Sequence, residues 1–342
     1  MRKRGWKAEI SVGSWYPQKL LWADDVLRVR NSRYVPEHLS RWIQTWRFRY
    51  IVHYGAMASG IGWSARLQDW VVVGKIFRYL GSKFVYVPSG CHEHRLKAKW
   101  QMVDRGNVCG NCGFESQCSD TKNSRNFEVV RRLAHTGVAI DAHVSEEFRE
   151  SRLRYKSLDL EVFSPEIKVP HEFRWPSSSS VRVLHGTYLK GRESGGRNIK
   201  GSPHIVAAVR SLQRQGMDVE LVMKTVVPSR DMRFHQVQAD IIVDQLIYGG
   251  VGTTALEGMA LGRPVICYVR DSWREALAQW FPEWSACPLI SATPETVESE
   301  IRKLVENADL RGRIGKESRR FAERFLDVRK NVLELERLLE SL

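Results

Sequence analysis

The stretch that decides the fold is residues 240–266, which read DIIVDQLIYGGVGTTALEGMALGRPVI. It opens with a short apolar run typical of a buried strand, which ends at Asp244 and leads into a glycine-rich turn. A helix is predicted from about Gly252 to Gly262, where glycine suits a left-handed cap, and Pro264 then opens a second strand. Strand, turn, helix and strand in this order form the unit of a doubly wound parallel sheet.

The start of this predicted helix carries residue types that suit a phosphate ligand. Gly252, Thr253 and Thr254 stand where the backbone N–H groups of a helix are free, and glycine lets a phosphate come close to them. Glu257 lies just over one turn further on, where its carboxylate can accept hydrogen bonds from sugar hydroxyls. The alternative interpretation is that Glu257 is a surface acid of the helix and that the glycines only form the turn.

The alternation of strands and helices continues on both sides of this stretch, less regularly in the first half of the chain. It predicts an α/β protein with two doubly wound, Rossmann-like domains. Ligands of such sheets bind beyond the carboxyl ends of the strands, so the loops that follow strands are the candidate sites. Strands are predicted near residues 7–12, 49–53, 83–87, 137–140, 182–185, 219–223, 240–244 and 264–269.

The stretch from residue 240 resembles the donor-binding segment of retaining GT-B glycosyltransferases, the glycosyltransferase-4-like group. The shared pattern runs acid–Gln–Leu, glycine, Glu–Gly–Met–Ala–Leu–Gly–Arg–Pro–Val. The resemblance implies two domains that face a central cleft and a nucleotide-diphosphate sugar as donor. It implies that Glu257 holds the ribose hydroxyls and that Gly252, Thr253 and Thr254 border the diphosphate. The family commonly has a second glutamate eight positions before Glu257, where this chain has Gly249.

A second matching segment follows a predicted strand that ends at residues 185–187. In the family, the loop after this strand supplies an arginine and a lysine to the donor diphosphate. Lys200 is the matching lysine, and the arginine is Arg197 or Arg192. Fixed positive charge stabilises a departing nucleoside diphosphate without a metal. The alternative interpretation is a solvated basic loop.

The first half resembles the acceptor domain of the same family. His53 and His92 stand at predicted strand ends that face the cleft, and we expect them to contact hydroxyls of the acceptor or of the sugar; a structural role is the alternative. The expected organisation is an acceptor-side domain at residues 1–165 with a cysteine-rich insertion at about 91–123, a Pro/Ser-rich linker at 166–180, the donor domain at 181–320 and a C-terminal helix at 321–342 that packs back on the first domain.

Four of the six cysteines lie in one short segment of the first half. Cys109 and Cys112 form a pair separated by two residues, with Cys91 before them and Cys118 after them. Four thiolates on loops suit a tetrahedral structural zinc, and an iron–sulfur cluster is the second interpretation. The prediction is a zinc site beside the acceptor cleft.

Composition narrows the classes of partner. The chain has 342 residues, 43% of them apolar, and a formal net charge of +14, which favours anionic ligands such as nucleotide sugars. The expected acceptor is a glycan, a lipid-linked molecule or a protein, in glycan or cell-surface polysaccharide synthesis. No apolar run is long enough to span a membrane, so the expected location is cytoplasmic, with room for peripheral contact with an anionic membrane.

Two other functions fit parts of the sequence. A nucleic-acid-binding protein with a zinc knuckle would use the charge and the cysteines, but it leaves residues 240–266 unexplained and has no aromatic–basic platform. A catalytically degenerate GT-B protein that binds nucleotide sugars without transfer would account for Gly249.

Overall fold

The computed structural model describes residues 10–11, 26–27, 49–54, 74–87, 98, 104, 107–113, 115, 118–121, 124, 128, 132–137, 157–187, 193–194 and 197–342. The chain divides into two compact units. The first consists of Met1–Val103, Cys118–Tyr155 and Val332–Leu342, and the second of Asp104–Gln117 and Lys156–Asn331.

The first unit contains parallel strands. Its larger sheet has the order β3-β4-β5, with β4 in the centre, and the remaining two strands form a separate parallel pair. The four residues from Phe84 to Val87 are buried, as expected of a strand covered on both faces. A helical segment at residues 74–79 precedes β4. The strands are β1 (Ile10–Ser11), β2 (Val26–Leu27), β3 (Tyr50–Tyr54), β4 (Lys83–Val87) and β5 (Thr136–Gly137).

The chain's C-terminal residues cover one face of this sheet. Val85 and Val87 of β4 form a buried cluster with Leu339, and further apolar side chains pack on that cluster. These neighbours are Tyr50, Val52, Leu335, Leu338 and Leu342. The last turns of the chain therefore contribute to the core of the first unit.

The second unit is a four-stranded parallel sheet with helices between its strands, in the order β11-β10-β6-β9. A short antiparallel hairpin, β7 with β8, follows β6. The elements of the second unit are α1 (Asn107–Gly110), β6 (Val181–Thr187), β7 (Glu193–Ser194), β8 (Arg197–Asn198), α2 (Ser202–Arg214), β9 (Val219–Thr225), α3 (Ser229–Gln236), β10 (Ile241–Val243), α4 (Thr253–Ala260), β11 (Val265–Ile266), α5 (Asp271–Trp280), α6 (Val297–Glu306) and α7 (Ala308–Phe325), with 3₁₀ turns at His171–Phe173 and Pro282–Ala286. The last helix, α8 (Val328–Glu340), begins in this unit and continues into the first from Val332.

Burial explains why these residues form these elements. The buried residues of α2 are spaced by three and four positions, so one apolar stripe of the helix faces the sheet. All three residues of β10 are 0% exposed. Helix α4 lies so close to β10 that a Cβ at Gly258 would come within 2.7 Å of Ile242 Cδ1. The prediction of an α/β fold with parallel sheets is confirmed.

The C-terminal end differs from the single helix that the sequence pattern predicts from residue 321. Phe321 and Phe325 belong to α7, and α8 begins only at Val328. The backbone of Leu158 separates the two helices, because its N–H donates to Leu326 O (2.8 Å) and its carbonyl accepts from Val328 N (2.9 Å). Asp327 then accepts a hydrogen bond from the backbone N–H of Arg329 and so caps the new helix.

The Pro/Ser-rich segment predicted as a linker lies within the second unit and is held by Trp175. The Trp175 indole N–H donates to His235 Nδ1 (3.0 Å), and its backbone N–H donates to Gln238 Oε1 (2.8 Å). In the part of the chain that the structure describes, no helix combines the length and the apolar character needed to cross a bilayer.

The crossing of α7 over α4 yields a prediction with a control on the same helix. A Cβ at Gly315 would collide with the backbone carbonyl of Gly262, whereas a Cβ at Gly312 meets nothing within 4 Å. We expect Gly315→Ala to destabilise the protein by about 1–3 kcal/mol, because the helix must move away from α4. We expect Gly312→Ala to stabilise it by about 0.5–1 kcal/mol through helix propensity. Thermal unfolding of both variants measures the difference, and equal shifts would contradict the packing.

Candidate functional site

Lys200 and Asp244 form a buried ion pair at the carboxyl edge of the sheet in the second unit. Asp244 directly follows β10, and Lys200 lies in the turn before α2. The Lys200 ammonium donates a hydrogen bond to Asp244 Oδ1, and the side chains are 8% and 0% exposed. The Lys200 backbone is also fixed, since its N–H donates to Asn198 Oδ1 (3.0 Å) and its carbonyl accepts from Leu246 N (3.1 Å).

The second oxygen of Asp244 lies against the start of α4. Gly252 is the N-cap of that helix, and a Cβ there would collide with Asp244 Oδ2. Its φ of −79° is open to any residue, so this close contact, and not the backbone conformation, requires glycine. The cap supplies no side-chain hydrogen bond to the first turn of the helix. Thr253 is exposed and Thr254 half-buried, so the turn has an open side.

Glu257 is buried on the same helix and its carboxylate is oriented. It is 7% exposed, and its Oε2 accepts a hydrogen bond from Gln236 Nε2 (3.0 Å) at the end of α3. The same nitrogen reaches the carbonyl of Thr254 (3.4 Å). Glu257 is therefore not a solvated surface acid of α4. The glutamate, the lysine and the helix start all lie within the second unit.

His185 joins three elements beneath this edge. Its Nδ1 lies 2.8 Å from Val243 O and its Nε2 2.8 Å from Ser202 Oγ, so β6 is tied to β10 and to the first turn of α2. Burial lowers the pKa of His185 to about 4, so the ring is neutral near pH 7. A neutral ring with its proton on Nδ1 donates to the carbonyl of Val243 and accepts from the hydroxyl of Ser202.

Gly249, where the resembled family commonly has a second glutamate, has no room for a side chain. Its φ is +78°, and a Cβ there would lie 2.9 Å from both Nε and Nη2 of Arg270. The Arg270 guanidinium is buried, lies 5.7 Å from the ring centre of Tyr268 and contacts Asp104 Oδ2 at 3.4 Å. A side chain at position 249 would need a strained backbone and a displaced arginine.

Arg197 is in a different environment from Lys200. It lies on β8, its side chain is 44% exposed, and it pairs with Glu115 at 3.3 Å. Arg192, the other arginine of the predicted diphosphate loop, lies outside the described residues. The structure therefore brings Lys200, Gly252, Thr253, Thr254 and Glu257 to one region, and it places Arg197 beside residue 115.

The predicted residues of the first half are described only in part. His53 lies on β3, in register with Tyr86 of β4, and His92 and Cys91 lie outside the described residues. Cys109 and Cys112 belong to the second unit and Cys118 to the first. Across the described ranges, no group of three or more His, Cys, Asp or Glu side chains could hold a metal ion. The prediction of a zinc or iron–sulfur site at Cys91, Cys109, Cys112 and Cys118 is therefore not supported.

Three residues that build this site had no predicted role. Asp244 was visible only as the acid that ends a strand. Gln236 and Arg270 carried no signal, because they come from other parts of the sequence. Gln236 reaches Glu257 from the end of α3, and Arg270, which precedes α5, lies against Gly249. The position of Asp244 at a strand's carboxyl end is the only feature from which its place in the site could have been predicted.

Comparison with known proteins gives the fold. No protein-family model matches the chain, and no curated protein matches its sequence. Among solved structures, sucrose-phosphate synthase from Thermosynechococcus elongatus is similar over 99% of this chain and 90% of its own, with 13% identity and a TM-score of 0.62. Anabaena Alr3699/HepE in complex with UDP-glucose is similar over 90% of this chain and 82% of its own, with 13% identity and a TM-score of 0.58.

These similar structures are GT-B glycosyltransferases with two Rossmann-like domains. The chain has the GT-B fold class. TarM is a third example, with 8% identity, a TM-score of 0.53, and coverage of 85% of this chain and 54% of TarM. At this level of identity the likeness establishes the fold, and the reaction of this GT-B chain must be argued from its site.

The buried His185 yields a prediction on pH. Its folded pKa of about 4 lies below the ordinary value of 6.5, so between these values only the unfolded chain binds the proton. The contribution of His185 to the free energy of unfolding is therefore fully present above pH 6.5. It is lost as the pH falls towards 4, and the loss amounts to at most about 3 kcal/mol. We expect His185→Gln to lose less stability over that window. Urea unfolding at several pH values measures it, and parallel pH profiles would contradict the prediction.

Proposed function

We propose that this protein is a glycosyltransferase that moves a sugar from a nucleotide-diphosphate sugar to an acceptor. One observation carries the proposal: a buried lysine ammonium at the start of α2 and the uncapped start of α4 are joined through Asp244 at the carboxyl edge of a parallel sheet. This edge is where doubly wound sheets bind ligands, and both features attract a phosphate.

Lys200 and the start of α4 would hold the donor diphosphate. When the glycosidic bond to the β-phosphate breaks, negative charge builds on the departing phosphate. A fixed ammonium and the backbone N–H groups at Gly252 and Thr253 stabilise that charge without a metal. Such preorganised groups are each worth about 10²–10³ in rate where they have been removed from other enzymes. Arg197 would add charge from the open side of the same loop, where it is 44% exposed.

Glu257 would accept hydrogen bonds from the ribose hydroxyls. The side chain of Gln236 holds one of its carboxylate oxygens, so the group is preorganised rather than free to rotate. An ionised carboxylate forms strong hydrogen bonds, and two neighbouring hydroxyls are suitable donors to it.

The similar structures suggest the class of donor, and the sequence suggests the class of acceptor. HepE, a similar structure, is described in complexes with UDP and with UDP-glucose, so uridine-based hexose donors are the first to test. We propose transfer with retention, as the sequence resemblance implies. Residues 1–165, with His53 and His92, would bind the acceptor, residues 181–320 would bind the donor, and residues 321–342 would complete the first domain. A glycan, a lipid-linked molecule or a protein remains the proposed acceptor, and the net charge of +14 suits an anionic one or a membrane surface.

A binding-only protein is the second candidate, and Gly249 favours it. An arginine fills the space beside that residue, so the carboxylate expected near the sugar has no room there. Assays of sugar transfer and of donor hydrolysis distinguish the two, because a binding-only protein would bind the donor and turn over none of it. Nucleic-acid binding is the less favoured alternative, because it gives no role to the buried side chains of Lys200, Asp244 and Glu257.

The site makes a paired prediction with matched controls. We expect Lys200→Met and Glu257→Gln to weaken UDP-glucose binding at least tenfold, since each removes a charged group that contacts the donor. Lys303→Met and Glu323→Gln change the same residue types at exposed positions, so we expect them to leave binding unchanged. Calorimetric titration, begun with a thermal-shift screen of nucleoside diphosphates and their sugars, measures the affinity.

Two results would contradict the proposed function. One is the absence of any thermal shift with UDP, ADP, GDP, dTDP or their sugars in the wild-type protein. The other is equal donor affinity in Lys200→Met and Lys303→Met with both proteins folded. Loss of affinity in Glu257→Gln alone would keep a nucleoside site but remove the diphosphate contact.

A further inference from the structure

We propose that Asp244 is a positioning residue for the donor site: it holds the Lys200 ammonium beside the start of α4, so that both act on one diphosphate. This inference rests on the proposed function and assigns a role to a residue that the sequence resemblance left without one. The two carboxylate oxygens of Asp244 have different surroundings.

One oxygen of Asp244 fixes the lysine. The side chain is 0% exposed and accepts a hydrogen bond from the ammonium at Oδ1. A lysine ammonium stands at the end of a flexible four-carbon chain, so without a hydrogen-bond partner it would sample many positions. The backbone of Lys200 is fixed at both its N–H and its carbonyl, and the bond to Asp244 fixes the remote end of the same residue.

The other oxygen of Asp244 lies at the start of α4, so the ammonium that Asp244 binds is held near that helix end. Oδ2 lies against Gly252, the N-cap of α4, and no hydrogen bond to it is present among the described residues. The carboxylate is therefore bonded to the turn that holds the lysine and lies beside the start of α4, whose first N–H groups have no partner within the helix. A change of either element relative to β10 would break this arrangement.

The ammonium keeps the capacity to bind an anion while it is held. It has three N–H donors. Within the described ranges its only acceptor is Asp244, which leaves two donors for phosphate oxygens. Asp244 and a diphosphate can thus contact Lys200 at the same time, so the carboxylate acts as a support and does not compete with the donor.

If Asp244 acts through its charge, the effect of a neutral substitution at this position depends on whether Lys200 is present. A role in packing alone would not produce that dependence. With Lys200 present, a neutral side chain at position 244 leaves a buried ammonium without its counter-charge, and the lysine then moves towards solvent. With Lys200 absent, the carboxylate stands next to the diphosphate with no cation between them, and it repels the ligand. The same substitution at 244 should therefore weaken diphosphate binding in one background and strengthen it in the other.

The experiment measures nucleotide affinity by calorimetry in four full-length proteins: wild type, Asp244→Asn, Lys200→Met and the double variant. The ligand is whichever of UDP, ADP, GDP and dTDP binds the wild type most tightly, and its own nucleoside is the matched control. We expect Asp244→Asn to weaken diphosphate binding about tenfold and to change nucleoside binding less than twofold, because the nucleoside does not reach the ammonium. Asp309→Asn, at an exposed position on α7, controls for loss of an aspartate.

We further expect the double variant to bind the diphosphate more tightly than Lys200→Met does. If Asp244→Asn does not fold, the comparison of the double variant with Lys200→Met tests the role of Asp244 by itself. Equal weakening of diphosphate and nucleoside, unchanged diphosphate affinity in Asp244→Asn, or a double variant no tighter than Lys200→Met would overturn the role. Absence of binding by the wild type would overturn the proposed function itself, and the role of Asp244 with it. If the wild type binds the diphosphate but the effect of the Asp244 substitution does not reverse without Lys200, only the role of Asp244 fails.

Discussion

The buried ion pair between Lys200 and Asp244 is the interaction on which the rest of the site depends. Two opposite charges removed from water stabilise a fold only weakly, because desolvation offsets most of their attraction. The pair is therefore better understood through what it positions. It joins the end of β10 to the turn before α2, and through Gly252 it reaches the start of α4. Three elements that are separate in sequence meet at one carboxylate.

The surrounding structure supplies the rigidity that this pair requires. His185 ties β6 to β10 and to α2 through two hydrogen bonds of 2.8 Å, directly beneath the same edge. Gly258 lets α4 approach β10 closely, and α7 crosses α4 at Gly315 with equally little space. Because the sheet and helices pack this tightly, an added methyl group at either glycine would push α4 and the element packed against it apart.

The conformation of Gly249 and the position of Arg270 depend on each other. The left-handed backbone at residue 249 and the guanidinium packed against it belong together, since no side chain fits that position while the arginine remains. The arginine also contacts Asp104 and so ties residues 104–117 to the rest of the second unit. Gly249, where the sequence departs from the glycosyltransferase pattern it resembles, thus lies in a defined structure that is stabilised by its own contacts.

The sequence by itself determined the fold class and the site's outline. Alternating apolar runs and helical patterns fixed the order of strands and helices after residue 181, and the glycines and hydroxyl residues from Gly252 marked the helix start. Local patterns suffice there, because strands, caps and turns depend on neighbouring residues. Only the tertiary structure decided that Asp244 meets Lys200, that Gln236 orients Glu257 and that Leu158 separates α7 from α8. Each of these contacts joins residues from 21 to 170 positions apart, and periodicity carries no information on which distant groups the fold brings together.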